Sequence, residues 1–241
     1  MISYFNTVDD IIASGVDTAI LPIGSVEQHS SHLPTGTDYI IADALSKGIA
    51  EKLDAYLLPA LPISTCMEHK GKKGSVWMRP TTLITMIEDI VICLKNQGFK
   101  KVIILVTHGG IFALGPAIRE LNSMNDDLKV IKLEAAYSKE IDELIETYSY
   151  DIHAGEAETS LMLYICREHV KEDLMIQNDC VPDCPREYLN YASLLKLSRN
   201  GVWGKPSLAS YEKGEKVFSL MIDAYLEYIK KAFDNMDYNA W

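Results

Sequence analysis

Two apolar runs, Ala19-Ile20-Leu21-Pro22-Ile23 and Val102-Ile103-Ile104-Leu105-Val106, pass without alternation straight into polar, chemistry-bearing residues. A strand with no polar face must be covered on both sides, as in a parallel sheet between helices. The first run opens the segment Leu21 to Asp38, LPIGSVEQHSSHLPTGTD, which packs Glu27, His29, His32 and Asp38 into a short stretch. The second ends in Thr107-His108 and two glycines. Loops at the carboxyl ends of strands are where open α/β sheets build their sites. Glu27 and His29 are two apart, so in an extended segment they point the same way. A third segment, Asp151 to Ser160, DIHAGEAETS, adds His153, Glu156 and Glu158. A lone histidine after a strand is more often a hydrogen-bonded structural residue than a ligand. Three such segments together point to a catalytic metal centre. Imidazole and carboxylate ligands without thiolate suit Zn, Mn or Fe and do not choose among them.

Helical patterns alternate with the strands. The expected elements are a strand over Thr18 to Gly24 and a helix after Asp38, with Ile41, Leu45, Ile49 and Leu53 on one stripe. A strand over Ala55 to Ile63 comes next, then a helix from Thr82 to Asn96 that stops at Gly98. They continue with a strand over Lys101 to Thr107, a helix from Gly115 to Ser123 and a strand over Leu128 to Ala136. Such alternation implies right-handed crossovers and an α/β fold with a mostly parallel central sheet. Beyond residue 137 the pattern turns helical, ending in a long amphipathic helix over Lys213 to Phe233 expected across the outside. No linker, repeat or low-complexity block divides the 241 residues, so one domain over 1–241 is expected.

The net charge of -11 argues against nucleic acid as a partner, because such proteins gather Lys and Arg against phosphate. The one basic cluster, Lys70-Gly71-Lys72-Lys73, reads as a solvated loop. No apolar run is long enough to cross a membrane, and the N-terminus lacks the pattern of a signal peptide. The five cysteines follow no disulfide spacing, which suits a reducing cytoplasm. Cys93 and Cys166 read as core residues, and Cys180 with Cys184 could at most be half of a zinc site.

A helix from Gly155 to Arg167 would set Glu158, Leu161, Met162 and Ile165 on one inward face. Glu156 would lie about 200° round the axis from Glu158. The two carboxylates then cannot serve one ion. Glu158 is the metal-facing one, and Glu156 is expected against a solvent-side cation or at the pocket mouth.

The three segments together resemble the creatininase family of metal hydrolases. The family's Gly-Ser-x-Glu-Gln-His-Gly-x-His-Leu-Pro with a following Asp stands here as Gly24 to Pro34 with Asp38. Its His-Gly-Gly-Asn is His108-Gly109-Gly110-Ile111, and its His-Ala-Gly-x-x-Glu-Thr-Ser is His153 to Ser160. Weaker matches are Glu68-His69 before Gly74-Ser75, and Gly201 to Pro206 with Glu212-Lys213-Gly214. The resemblance covers about residues 18 to 216. It implies a three-layer α/β/α fold, a homo-oligomer that is often hexameric, and two divalent ions (Zn, Mn or Fe) per chain. Carried over residue by residue, Glu27, His29, Asp38, His108 and Glu158 are the implied ligands, with Asp38 bridging. His153 is the first candidate for proton transfer and His32 the second, with a ligand-orienting role for His32 equally open. Glu68, His69, Trp77 and Ile111 are candidates for the substrate side, and specificity is expected in the loops around Lys70, Trp77 and Trp203.

Departures from the family pattern bear on substrate. Creatininase supplies a Glu two residues after the equivalent of His108, where this chain has Gly110. The usual Asn is Ile111, and the usual Gly-Pro of the first motif is Ser30-Ser31. The expected activity is hydrolysis of a small non-peptide amide, cyclic amide or formamide. A cyclic keto-sugar hydrolase using the same activated water, and a catalytically silent metal-binding subunit, are the alternatives.

Overall fold

The computed structural model describes residues 1–134 and 138–236. Its five strands are β1 (Ile2–Ser3), β2 (Thr18–Ile23), β3 (Tyr56–Leu57), β4 (Lys101–Val106) and β5 (Lys129–Leu133). They form one parallel sheet in the order β1-β3-β2-β4-β5. The helices are α1 (Val8–Ser14), α2 (Thr37–Lys52), α3 (Pro80–Asn96), α4 (Leu114–Met124), α5 (Lys139–Leu144), α6 (Glu156–Ile165), α7 (Leu194–Leu197) and α8 (Tyr211–Met236).

Strand alternation sorts the core into two halves. Ile20, Ile103, Leu105, Ile131 and Leu133 point into the half that contains α2, α5, α6 and α8. Their neighbours Ala19, Leu21, Ile23, Val102, Ile104, Val106 and Val130 point into the half formed with α3 and α4. The unalternated runs are therefore period-two strands with an apolar layer on either side, and the fold is the expected three-layer α/β/α. The long helices α2 and α3 each contribute a four-residue stripe: Ile41, Leu45 and Ile49 from α2, and Leu83, Ile87 and Val91 from α3.

The connections fix where a site can lie. From β2 the chain crosses by α2 to β3 on one side, and from β4 by α4 to β5 on the other. The loops leaving these adjacent strands diverge, which opens a crevice at their carboxyl ends. The two edges are tied together there, because Thr107 Oγ1 donates to the Asp38 carbonyl at 2.8 Å. Gly24 lets the start of α2 pack onto the end of β2, since a Cβ there would overlap the Tyr39 backbone.

Some expectations change. The strand over Ala55 to Ile63 shrinks to Tyr56–Leu57 with an isolated bridge from Leu61 to Ile23. Pro59 and Pro62 cannot donate to a ladder, which explains the interruption. β5 ends at Leu133, and Ala135 and Ala136 lie outside the described residues. Cys93 is exposed and Cys166 half-buried, so neither is a core residue. Cys93 lies off the buried stripe of α3, and Cys166 caps α6. The Lys70 to Lys73 loop is solvent-exposed throughout. No described helix is long and apolar enough to cross a membrane.

Candidate metal centre

The loop after β2 turns inward. Glu27, Gln28, His29 and His32 are buried in it, and Asp38 is buried in the first turn of α2. His108, just past β4, meets them. Its Nδ1 lies 3.0 Å from Glu27 Oε2 and 3.4 Å from Asp38 Oδ2. His29 Nε2 is 3.4 Å from Asp38 Oδ1 and 3.8 Å from Glu158 Oε2. Asp38 thus faces His29 with one oxygen and His108 with the other.

Both Glu27 carboxylate oxygens, His29 Nε2, Asp38 Oδ2 and His108 Nε2 are buried without a hydrogen-bond partner among the described residues. Such atoms are costly unless an ion or water satisfies them. Glu27, His29 and Asp38 present ligand atoms within 4.8 Å of one another, as do His29, His153 and Glu158. Hard carboxylate oxygens beside borderline imidazole nitrogens fit a divalent transition ion.

The protonation pattern carries the same signature. Burial opposes charge on His29, but Asp38, Glu158 and Glu27 overcome it and raise the imidazole to about 9. Burial likewise opposes charge on His108, yet Glu27 and Asp38 hold it well above its ordinary value. The carboxylates demand positive charge, and a cation that meets the demand releases the imidazole protons. Burial raises Glu158 to about 8, with His29 opposing and the Asp38 charge adding to it.

The remaining candidates separate. His153 is buried beside His29, at 4.3 Å between ring centroids, and burial together with His69 and His29 lowers its pKa well below the ordinary value. His69 Nε2 is 3.1 Å from Glu27 Oε1, and Glu68 Oε1 is 3.1 Å from His108 Nε2. A side chain on Gly110 would overlap that Glu68 oxygen and His108, so Glu68 occupies the space the missing residue would fill.

His32 is a correction. Its Nε2 is 3.1 Å from Thr159 Oγ1 and its Nδ1 is 3.3 Å from Asn178 Nδ2, so one nitrogen ties the loop to α6 and the other to the turn ending at Asn178. Burial and the charge of His29 push it down to about 4. Ile111 is a second correction. It is fully buried with Leu114 and Ile118 in the α3–α4 core and offers a substrate no surface. Trp77 is half-buried and does not line the cavity that reaches His108 and Glu158. Trp203 is a third, because it is buried and its backbone pairs with His153 rather than shaping an open loop.

The two carboxylates of α6 do point apart. Glu158 faces the cluster and accepts from the Ala154 amide at 2.5 Å. Glu156, however, is not on a solvent side. It is fully buried, accepts from Thr147 N and Oγ1 at 2.9 Å each, and pairs with Lys213 of α8. The helix is covered on two faces, so its second face is not a surface.

A cavity of about 720 Å³ reaches this centre, lined among others by His108, Glu158, Tyr148, Tyr225 and Tyr228. Arg186 lies on its rim, where it donates to the Gly109 carbonyl at 3.2 Å. Sequence reasoning had missed Gln28, Asp151, Arg186 and Lys213. Their roles depend on partners 41 to 173 residues away for Arg186 and Gln28, whereas Asp151 caps α6 from close by.

Fold and site define a candidate metal centre at the switch point of a parallel sheet. The family model described as "Creatininase: Creatinine amidohydrolase" matches residues 6–229, and the chain belongs to that family. It is a hydrolase acting on C–N bonds, as that family defines. It is 26% identical over 228 residues to a mycofactocin precursor peptide peptidase of Mycolicibacterium smegmatis, covering 90% of this chain and 86% of that one. It is 26% identical over 244 residues to a 3-dehydro-scyllo-inosose hydrolase of Thermotoga maritima, covering 89% and 76%. A solved structure described as "Creatininase Mn" superposes with a TM-score of 0.82 at 21% identity, covering 95% of this chain and 98% of that one.

Proposed function

We propose that this protein is a binuclear metal amidohydrolase acting on a small non-peptide amide, cyclic amide or formamide. The observation that carries the reading is the convergence of buried, unpartnered carboxylate and imidazole atoms from Glu27, His29, Asp38 and His108. These residues with Glu158 would hold two divalent ions (Zn, Mn or Fe), Asp38 serving both. When bound, such a pair lowers the pKa of a water and polarises a carbonyl.

The chain's own residues supply the rest. His153, whose pKa burial holds well below the ordinary value, lies beside His29, and it is assigned the proton transfer to the leaving nitrogen through Nδ1, since Nε2 is engaged by the Gln28 carbonyl. Glu68 flanks His108 and fills the position of the residue absent at Gly110. The cavity's aromatic wall and the Arg186 guanidinium at its rim suit a small substrate with an apolar body and a polar or anionic end. One domain, expected from the absence of a linker, a cytoplasmic location, expected from the cysteine pattern, and a hexameric assembly, implied by the resemblance, accompany this reading. The likeness to the Thermotoga maritima hydrolase keeps cyclic keto-sugars in the substrate screen as the second reading.

Metal analysis of the purified protein joined to a hydrolysis screen over amides, lactams, formamides and cyclic ketones tests both. About two divalent ions per chain and turnover of an amide class are expected. A preparation that binds no transition metal ends the reading, and turnover of cyclic ketones alone selects the second.

A further inference from the structure

Gln28 stands between two imidazoles of the centre. Its Nε2 lies 3.0 Å from the Gly201 carbonyl, 3.0 Å from His69 Nδ1 and 3.2 Å from His153 Nε2. Its Oε1 accepts from the Ser30 amide at 3.1 Å. Those contacts settle which end of the amide is which. A carbonyl can only accept and a backbone N–H can only donate, so turning the amide over would break both bonds. Gly201 is held at φ +87°, and a side chain there would overlap the Gln28 amide, so the cradle is closely built.

The proton count then follows. The Gln28 NH2 has two hydrogens, and one is committed to the Gly201 carbonyl. His153 Nε2 lies 2.7 Å from the Gln28 backbone carbonyl, which only accepts, so His153 carries a hydrogen on Nε2. It cannot also accept from the amide. The second hydrogen of Gln28 therefore goes to His69 Nδ1, which must present its lone pair. An imidazole with a free Nδ1 pair is neutral and holds its proton on Nε2. That nitrogen is the one 3.1 Å from Glu27 Oε1.

The result bears on which residues can bind metal. Glu27, His69 and His153 offer ligand atoms within 4.8 Å of one another, as do Glu27, His29 and Asp38. Geometry alone would admit His69 as a ligand. A protonated nitrogen has no pair to give a metal. We propose that Gln28 is a positioning residue that locks the His69 proton on Nε2, so that an N–H rather than a lone pair faces Glu27 and His69 stays out of the metal ligand set. His153 is held the opposite way, with its Nδ1 pair turned toward Glu27 across 3.6 Å. One carboxylate is thus flanked by one imidazole N–H and one imidazole lone pair.

The tautomer can be read directly by long-range proton–nitrogen NMR on 15N-histidine-labelled protein stripped of metal, with His69→Gln identifying the His69 signals. Wild-type His69 is expected to show a protonated Nε2 and an unprotonated Nδ1. In Gln28→Glu the carboxylate accepts instead of donating, and Nδ1 of His69 should gain a proton. In Gln28→Met the donor is gone, and both tautomers should appear. A wild-type His69 protonated on Nδ1 overturns the proposal, and so does a Gln28→Glu variant whose His69 stays as in wild type. The wild-type spectrum decides even if a variant fails to fold. The metal half rests on the metal-hydrolase reading. There, Gln28→Glu should change the apparent Mn or Zn dissociation constant by about 10–100-fold, the usual effect of an altered outer partner. Adding His69→Gln should cancel most of that change, and an unaltered constant in Gln28→Glu refutes the claim that Gln28 controls ligation. If wild type binds no metal while the tautomers respond as stated, the metal reading fails and the lock stands.

Discussion

Replacing Glu156 or Glu158 by alanine should separate folding from metal binding, because two residues of one helix turn do different work. Glu156 is fully buried and holds the Thr147 amide and hydroxyl and the Lys213 ammonium. Glu156→Ala leaves the Thr147 N–H buried and unpaired, which costs about 1–3 kcal/mol. The broken ion pair adds to this, although less than the ~3–5 kcal/mol of a fully buried pair. Lys213 is 20% exposed and keeps Glu146 and the Leu208 carbonyl, each at 3.0 Å. A total near 3 kcal/mol corresponds to a melting temperature roughly 6–12 °C lower in a chain of this size. Glu158, 26% exposed at the side chain, loses mainly its bond from the Ala154 amide, about 1 kcal/mol or roughly 2–4 °C. Its removal should instead cost about one ion per chain, since it faces His29. Thermal melts of metal-free protein and elemental analysis of metal-loaded protein give the two readouts. Loss of metal in Glu156→Ala with an unchanged melt would refute the assignment of the two faces.

Other substitutions and conditions follow from the same geometry. Asp38→Ala should abolish hydrolysis and most metal binding, because its two oxygens face His29 and His108 separately; retention of both ions by elemental analysis would count against a shared carboxylate. Gly110→Ala should weaken metal binding by displacing Glu68 or His108, measured by titration calorimetry, and an unaltered affinity would show that the position is slack. Burial raises Asp151 from the usual 3.8 to about 7. The folded state then holds a proton that the unfolded chain has lost, so stability from this group is full below about pH 4 and falls as pH rises to about 7. The slope is at most about 1.4 kcal/mol per pH unit, and it should vanish in Asp151→Asn when denaturant curves are compared across that window. Creatinine turnover should be negligible beside that of another small amide or carbonyl compound, since Gly110 lacks the carboxylate creatininase supplies; a rate of roughly 1 per second or faster would restore the narrower assignment.

Much of the architecture was legible because it rests on local pattern. Unalternated strands require cover on both faces, and four-residue stripes supply the helices that cover them. The parts that escaped were those where tertiary context overrides pattern. β3 is cut to two residues by the prolines after it. α1 has no buried residue, so it shows no apolar stripe; its signal was the Thr7–Asp10 capping box, a weaker mark. Glu156 was misplaced because a single inward face was assumed for α6. In the fold α8 lies against its other side, and a buried carboxylate there is tolerable only because Lys213 arrives with it.

The site divides along a similar line. Residues expected at the centre were visible because chemistry and spacing coincide within short segments. Those misjudged were decided by contacts that spacing does not reveal: His32 is spent on Thr159, 127 residues away, and Ile111 falls into the core as the chain turns into α4. Gln28 shows why. It sits between Glu27 and His29, and an amide between two ionisable residues reads as filler. Yet Glu27 approaches His69 at Nε2 and His153 at Nδ1, while Gln28 approaches the same rings at Nδ1 and Nε2. Gln28 thus fixes both rings, His69 through its side-chain N–H and His153 through its backbone carbonyl. His69 so held carries its proton on Nε2, which a carboxylate at position 28 could not enforce because it donates nothing. The residue type that looked inert is therefore the one whose hydrogen count the site depends on.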